Sequence, residues 1–253
     1  MKIIFLGTAG STMAKDRGFP AILVDDDMLL DCGEGTTQKL LQLGIIDSIK
    51  TICLTHLHND HFLGLFSLLW HYWINQRSND VTLIGPKGTQ ETVETILTLI
   101  NTPKSMRSSY EVRYIELNET LEPRKVMGIM GITYISVEHR IPALAYKIER
   151  NGKSFCYTGD SKLVPTLIHI ARGCDTLACE STFPDELADF AHKHYHFTPA
   201  DAAELALETQ CKKLILVHIS SYFIDQLDIF KQQAEQKLRK SVILAEDLME
   251  IVL

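Results

Sequence analysis

Apolar positions recur along this chain with two periods, and short segments of each kind follow one another from end to end. Runs rich in β-branched and apolar residues predict strands at Lys2–Leu6, Ala21–Val24, Met28–Gly33, Ile49–Leu54 and Val81–Ile84. Helical spacing through Leu40, Leu41 and Leu43 predicts a helix over Thr36–Leu43 that stops at Gly44. The apolar stretch Phe62–Trp70 is long enough to open a helix, and Thr89–Ile100 is amphipathic. Gly85-Pro86-Lys87-Gly88 reads as a turn, and the polar, basic stretch Pro103–Ser109 as a mobile loop. Further strands are predicted at Ile129–Val137, Ala145–Glu149, Ser154–Tyr157, Thr176–Cys179, Leu214–Val217 and Val242–Leu244. Asn151-Gly152 between two of them is a strong hairpin signal. Helices are predicted near Pro165–Ala171, Pro199–Thr209 and Ile224–Leu238. Strands that alternate with helices in this way predict a layered α/β fold.

Composition sets bounds on that picture. A chain of 253 residues can bury a sizeable core, and residues 1–253 read as one domain with no low-complexity linker. The formal charge is −7, so no global basic field points to nucleic acid. Six cysteines are scattered without a CxxC pair, which is the usage of a reduced, cytosolic protein. The opening Met1–Gly7 is too short for a secretory signal, and no apolar run reaches membrane-spanning length. A soluble, cytoplasmic protein with no membrane partner is expected.

The chemistry concentrates in Thr55-His56-Leu57-His58-Asn59-Asp60-His61, where four potential metal ligands sit at the spacing His-x-His-x-Asp-His. A predicted strand precedes them and a predicted helix follows, so they occupy a strand-to-helix turn at the carboxyl edge of a sheet. Side chains two residues apart in a tight turn can converge, so His56 and His58 can share a cation, while Asp60 and His61 point to a second site. Imidazole suits zinc, iron and nickel, and a carboxylate adds charge. A site for one metal using two or three of these groups competes with a site for two. His139, Asp160 and His218 each follow a predicted strand and would complete two histidine-rich sets with one carboxylate able to bridge. His71, His169, His192 and His194 have no partner at metal spacing and read as structural. Trp70, Tyr72 and Trp73 read as core or dimer contact rather than a base-stacking platform.

These stretches resemble the metallo-β-lactamase superfamily and, within it, the ribonuclease Z-like family. The resemblance runs through Phe5–Gly10, Leu30–Thr36, the histidine motif continued by Phe62-Leu63-Gly64-Leu65, His139-Arg140-Ile141-Pro142, Tyr157–Asp160 and Leu216–Ser221. It implies a four-layer αβ/βα sandwich with two zinc ions per chain, manganese or iron being alternatives. The implied ligands are His56, His58 and His139 for one ion and Asp60, His61 and His218 for the other, with Asp160 bridging. Glu180, after the strand ending at Cys179, and His196, just before Thr198-Pro199, match the family's acid pair. The implied chemistry is phosphodiester hydrolysis by a metal-activated hydroxide, with Asp60 orienting its proton and His196 protonating the leaving oxygen. Homodimers are common in the family, so a homodimer is expected.

Two departures bear on the substrate. The arm by which many such enzymes grip transfer RNA is missing between the strands on either side of Asn151-Gly152, which only Glu149–Lys153 joins. The arginine that often follows the Ser220-Ser221 pair is replaced by Tyr222-Phe223. Lys104, Arg107, Arg113, Arg124 and Lys125 could form a local patch, although each reads more simply as solvated charge. The expectation is therefore a phosphodiesterase similar to ribonuclease Z, with RNA ends as one substrate class and small phosphodiesters or cyclic nucleotides as the other.

Overall fold

The computed structural model describes residues 1–253, apart from the side chain of Met106. Among the described residues the strands form two seven-stranded sheets. The first contains β1 (Lys2–Gly7), β2 (Ala21–Val24), β3 (Met28–Leu30), β4 (Thr51–Cys53), β5 (Val81–Pro86) and β6 (Val112–Leu117). The second contains β7 (Arg124–Lys125), β8 (Ile132–Val137), β9 (Ala143–Arg150), β10 (Lys153–Tyr157), β11 (Thr176–Glu180), β12 (Lys213–Val217) and β13 (Ile243–Leu244). The chain then returns, and β14 (Met249–Val252) pairs antiparallel with β1 at the edge of the first sheet.

Period-two alternation builds the layers. In β1, Ile3 and Phe5 face the second sheet, packing with Tyr146, Phe155 and Tyr157. Ile4 and Leu6 face the other way, against Leu40 of α1 (Thr36–Gln42) and Leu65, Leu69 and Trp73 of α3 (Gly64–Ile74), which follows α2 (Asn59–Phe62). Val93 and Leu97 of α4 (Thr89–Leu99) join that outer core. The second sheet does the same. Its outward Cys156, Leu177 and Leu216 meet α5 (Pro165–Ala171), α7 (Pro199–Thr209) and α8 (Leu227–Leu238). The short α6 (Ala188–Lys193) lies between α5 and α7 in the chain. Helices, sheet, sheet and helices thus enclose three apolar cores, the four-layer sandwich that the sequence implied.

The hairpin is as tight as its sequence predicts. Asn151 and Gly152 both have positive φ, 52° and 70°, the conformation a two-residue turn demands between β9 and β10. Other expectations are corrected. Pro103–Ser109 contains a 3-10 turn over Lys104–Ser108, with Arg107 paired to Glu94 at 2.6 Å. The helix expected at Phe62–Trp70 is two, broken at Leu63, because Gly64 packs against the Gly33 carbonyl. The helix expected from Ile224 begins at Leu227, after a 3-10 turn. Strands β6, β7 and β14 escaped the sequence reading, as did α6. The three strands are sheet edges and α6 is only six residues long, so each has a weak apolar pattern.

Candidate metal centre and active site

Every candidate ligand lies beyond the carboxyl end of a strand. Thr55–His61 leads from β4 into α2, and His139, Asp160 and His218 follow β8, β10 and β12. Parallel pairing sets the ends of β10, β11 and β12 side by side, with Tyr157 opposite Ala178 and Glu180 opposite Val217. The two sheets are tied at this edge, where Leu144 N donates to Thr55 O at 2.9 Å and Gly10 N to Ile219 O at 2.9 Å. His218 adopts φ 57°, a strained backbone for a residue with a Cβ, and such strain concentrates at functional sites.

The side chains converge as two overlapping sets. His58 Nδ1 is 3.0 Å from His56 Nε2 and 3.0 Å from His139 Nε2. His61 Nε2 and His218 Nε2 are 3.3 Å apart, with Asp60 Oδ2 3.5 and 3.4 Å from them. Asp160 stands between the sets, 3.3 Å from both His61 Nε2 and His218 Nε2 and 3.9 Å from His56 Nε2. Its Oδ1 is buried and makes no hydrogen bond. A buried carboxylate oxygen without a donor, surrounded by inward-facing ring nitrogens, is costly unless a cation occupies the common space. The donor set of imidazoles and carboxylates fits zinc or another first-row divalent ion.

Electrostatics agree with that use at three of the rings. Burial holds His56 well below the usual imidazole range and lowers His58 and His139 as well, leaving neutral rings with lone pairs to offer. Burial also opposes a charge on His61, but Asp160 and Asp31 outweigh it and raise that ring well above its ordinary value. Burial would raise Asp60 and Asp160. The neighbouring His218 and His61 overcome it and hold both carboxyls low.

A second ring of contacts aims the first. Asp31, fully buried, lies 2.7 Å from His61 Nδ1 and accepts from Thr55 N at 2.7 Å and the Tyr157 hydroxyl at 3.0 Å. Thr55 Oγ1 donates to Asp31 and so accepts from His56 Nδ1, 3.0 Å away. Thr182 Oγ1 donates to Glu180 Oε2 at 2.6 Å and accepts from His218 Nδ1 at 2.8 Å. The Tyr195 carbonyl lies 3.3 Å from His139 Nδ1. Each of these rings therefore carries its proton on Nδ1 and turns Nε2 to the centre, whereas His58 turns Nδ1 inward. Asp31, Thr55, Tyr157 and Thr182 carry no role in the sequence reading. The signal for Asp31 was a carboxylate closing an apolar strand, Leu29-Leu30-Asp31.

Glu180 and His196 meet beside this centre. His196 Nδ1 is 3.1 and 3.2 Å from the two Glu180 oxygens and 3.9 Å from Asp160 Oδ2. Thr198 caps α7 and forms a capping box with Asp201, with Pro199 in the first turn. That cap fixes the approach of His196. Burial disfavours a charged His196, but Glu180 and then Asp160 outweigh it and push its pKa up to about 9. The ring is thus a proton carrier facing a candidate metal centre.

The centre opens into a cleft of about 370 Å³ whose wall includes Arg140, Phe183, Phe190 and His194. His194, read from sequence as structural, instead sits on this wall and accepts from Arg140 Nη2 at 2.5 Å. His192 lies on Asp201 at 2.8 Å, and His169 stands 3.8 Å from Glu122, both outside the cluster. Tyr72 and Trp73 are buried in the outer core, as expected. Arg107 and Arg113 are paired with Glu94 and Asp80, which neutralises two of the five cations of the supposed basic patch.

Two facing mixed sheets with paired histidine clusters at their shared edge define a metal-dependent hydrolase of the metallo-β-lactamase fold. The chain belongs to the beta-lactamase superfamily, whose domain model matches residues 27–219, and stands with its ribonuclease Z-like members. It is 30% identical to Ribonuclease Z of Metallosphaera sedula, the alignment covering 92% of each chain. It is 29% identical to Ribonuclease Z of Archaeoglobus fulgidus over 99% of this chain and 97% of that one. The crystal structure of human tRNase Z, short form, superposes with a TM-score of 0.83 at 26% identity, covering 100% of this chain and 99% of that one. The metallo-beta-lactamase fold protein YhfI of Bacillus subtilis matches with a TM-score of 0.82 at 19% identity, covering 99% and 98%, a likeness of fold.

Proposed function

We propose that this protein is a two-zinc phosphodiesterase similar to ribonuclease Z that hydrolyses RNA phosphodiesters. The observation that carries the reading is the buried Glu180–His196 pair, 3.1 Å apart, beside two histidine sets joined by Asp160. His56, His58 and His139 would hold one ion, Asp60, His61 and His218 the other, and Asp160 both. Manganese or iron suits the same donors. Such ions, when bound, supply Lewis acidity and a water of lowered pKa. Asp60, on the cleft floor, orients the proton of the attacking water. His196, kept charged by Glu180, donates its proton to the departing oxygen and leaves a hydroxyl on that product. Glu180 is itself held by Ser161 N at 2.8 Å and by Thr182, so the pair cannot swing away.

The ribonuclease Z relatives support transfer RNA 3′-end processing as the reaction. One observation favours a second reading, a small phosphodiester. The two-residue turn at Asn151-Gly152 leaves no arm at that place, and the alignment with the Archaeoglobus relative runs over 305 residues against 253 here. No helix among the described residues is long and apolar enough to cross a membrane. Exposed Ile74, Leu99 and Ile100, at the ends of α3 and α4, support assembly as a homodimer.

The test is cleavage of a transfer RNA precursor with a 3′ trailer, beside a small chromogenic phosphodiester, by metal-loaded protein and His196→Ala. We expect metal content to hold and turnover to fall by about two to four decades in the variant. Cutting at the trailer junction supports the RNA reading, and turnover of the small ester alone supports the second. Wild-type rates in the variant would remove the role given to His196.

A further inference from the structure

The wall of the cleft has a composition that hydrolysis alone does not require. Phe190 is 47% exposed on the short α6, with part of its ring open to the cleft. Phe183 is half-buried and stands edge-on between Phe190 and His196, with ring centroids 5.1 and 5.8 Å away. Phe183 therefore fixes the Phe190 ring within two ring contacts of the proton donor. His194, one helical turn on, lies tilted at 36° to Phe190 with ring centroids 4.2 Å apart and holds Arg140 by its Nδ1. Among the described residues lining this cleft, Arg140 is the only lysine or arginine. One donor of its planar fork is engaged by His194, and the others remain for a ligand.

Resting on the phosphodiesterase reading above, we infer that Phe190, Phe183 and the His194-held Arg140 form a nucleotide subsite. The nucleobase next to the scissile phosphate stacks on Phe190, and Arg140 binds one flanking phosphate. An aromatic face accepts any base, because every base has a π-face, so the subsite selects nucleotidyl esters over alkyl esters without reading sequence. A single cation matches one further phosphate, not a tract of duplex, and the chain's charge of −7 provides no broad field to hold one. The substrate class is thus a single-stranded nucleotide end or a dinucleotide.

The first test is calorimetric, with zinc-loaded protein. Adenosine 5′-monophosphate should bind about tenfold more tightly than ribose 5-phosphate, which lacks the base. Phe190→Ala should remove most of that preference, and Phe190→Trp should keep it. Arg140→Ala should lower by about one the salt slope for binding the dinucleotide pApA. Kinetics give the same contrast. Phe190→Ala should lower kcat/KM for thymidine 5′-p-nitrophenyl phosphate about tenfold more than for methyl p-nitrophenyl phosphate, chiefly through KM. Equal wild-type affinity for the two monophosphates, or a Phe190→Ala protein that loses both alike, would overturn the subsite. A base preference in a protein that hydrolyses no phosphodiester would uphold the subsite and overturn the phosphodiesterase reading.

Discussion

On the floor of the cleft, His56, His61 and Asp160 are almost wholly buried, and the His56, His61 and His218 rings each have a partner that fixes their orientation. On the wall, Arg140 and Phe190 face solvent, and Arg140 is steadied by a single side chain. The floor is drawn from four strand ends of both sheets, whereas the wall comes from two loops and one short helix. The difference teaches where this architecture tolerates change. Groups that share one buried hydrogen-bond network respond together, so a floor substitution should disturb several ligands at once. A wall residue can change what enters the cleft and leave the folded core alone.

The largest expected effect tests the floor directly. Asp160→Ala removes the carboxylate common to both histidine sets. We expect loss of bound metal by elemental analysis and a fall in turnover of about four decades, as does treatment of the wild type with chelator. Full metal content and activity in that variant would break the claim that Asp160 joins the sets. A smaller effect should follow from Asp31→Asn, which replaces the acceptor beneath His61 without touching the centre. Metal affinity should drop about 10- to 100-fold in a competition titration. A change below twofold would show that the floor is less tightly linked than its hydrogen bonds indicate. The smallest effect belongs to the wall. Arg140→Ala and Phe190→Ala should each alter stability by no more than about 0.5 kcal/mol, a Tm shift within about 2 °C. A larger loss would erase the distinction between the two regions.

The two regions also differ in how they can be read from the chain. His56, His58, Asp60 and His61 fall within six residues of one turn, so local geometry alone brings them together. His139, Asp160 and His218 were legible as strand-end residues, but a strand end states only that a group stands at some edge of some sheet. The wall was opaque. Phe190 lies in a six-residue helix with no apolar period, and His194, its C-cap, belongs to a His192-Lys193-His194-Tyr195-His196 run whose alternation does not say which ring reaches the cleft. Asp31 offered only a carboxylate at the end of an apolar strand. Its burial under His61 follows from the parallel pairing of β3 with β4, which places Leu30 opposite Cys53 and lets Asp31 N donate to Cys53 O at 2.8 Å.

What the sequence determined by itself is therefore local. It settled the strands and helices with strong period, the Asn151-Gly152 turn, and a ligand motif on a strand-to-helix turn. These depend on backbone preference and near-neighbour hydrogen bonds, which act within a few residues. Tertiary structure alone decided which strand ends share an edge, which ring nitrogens carry protons, and that Glu180 reaches His196 16 residues further on. Those outcomes follow from pairing order and from burial, which are properties of surfaces that meet only after the two sheets close on each other.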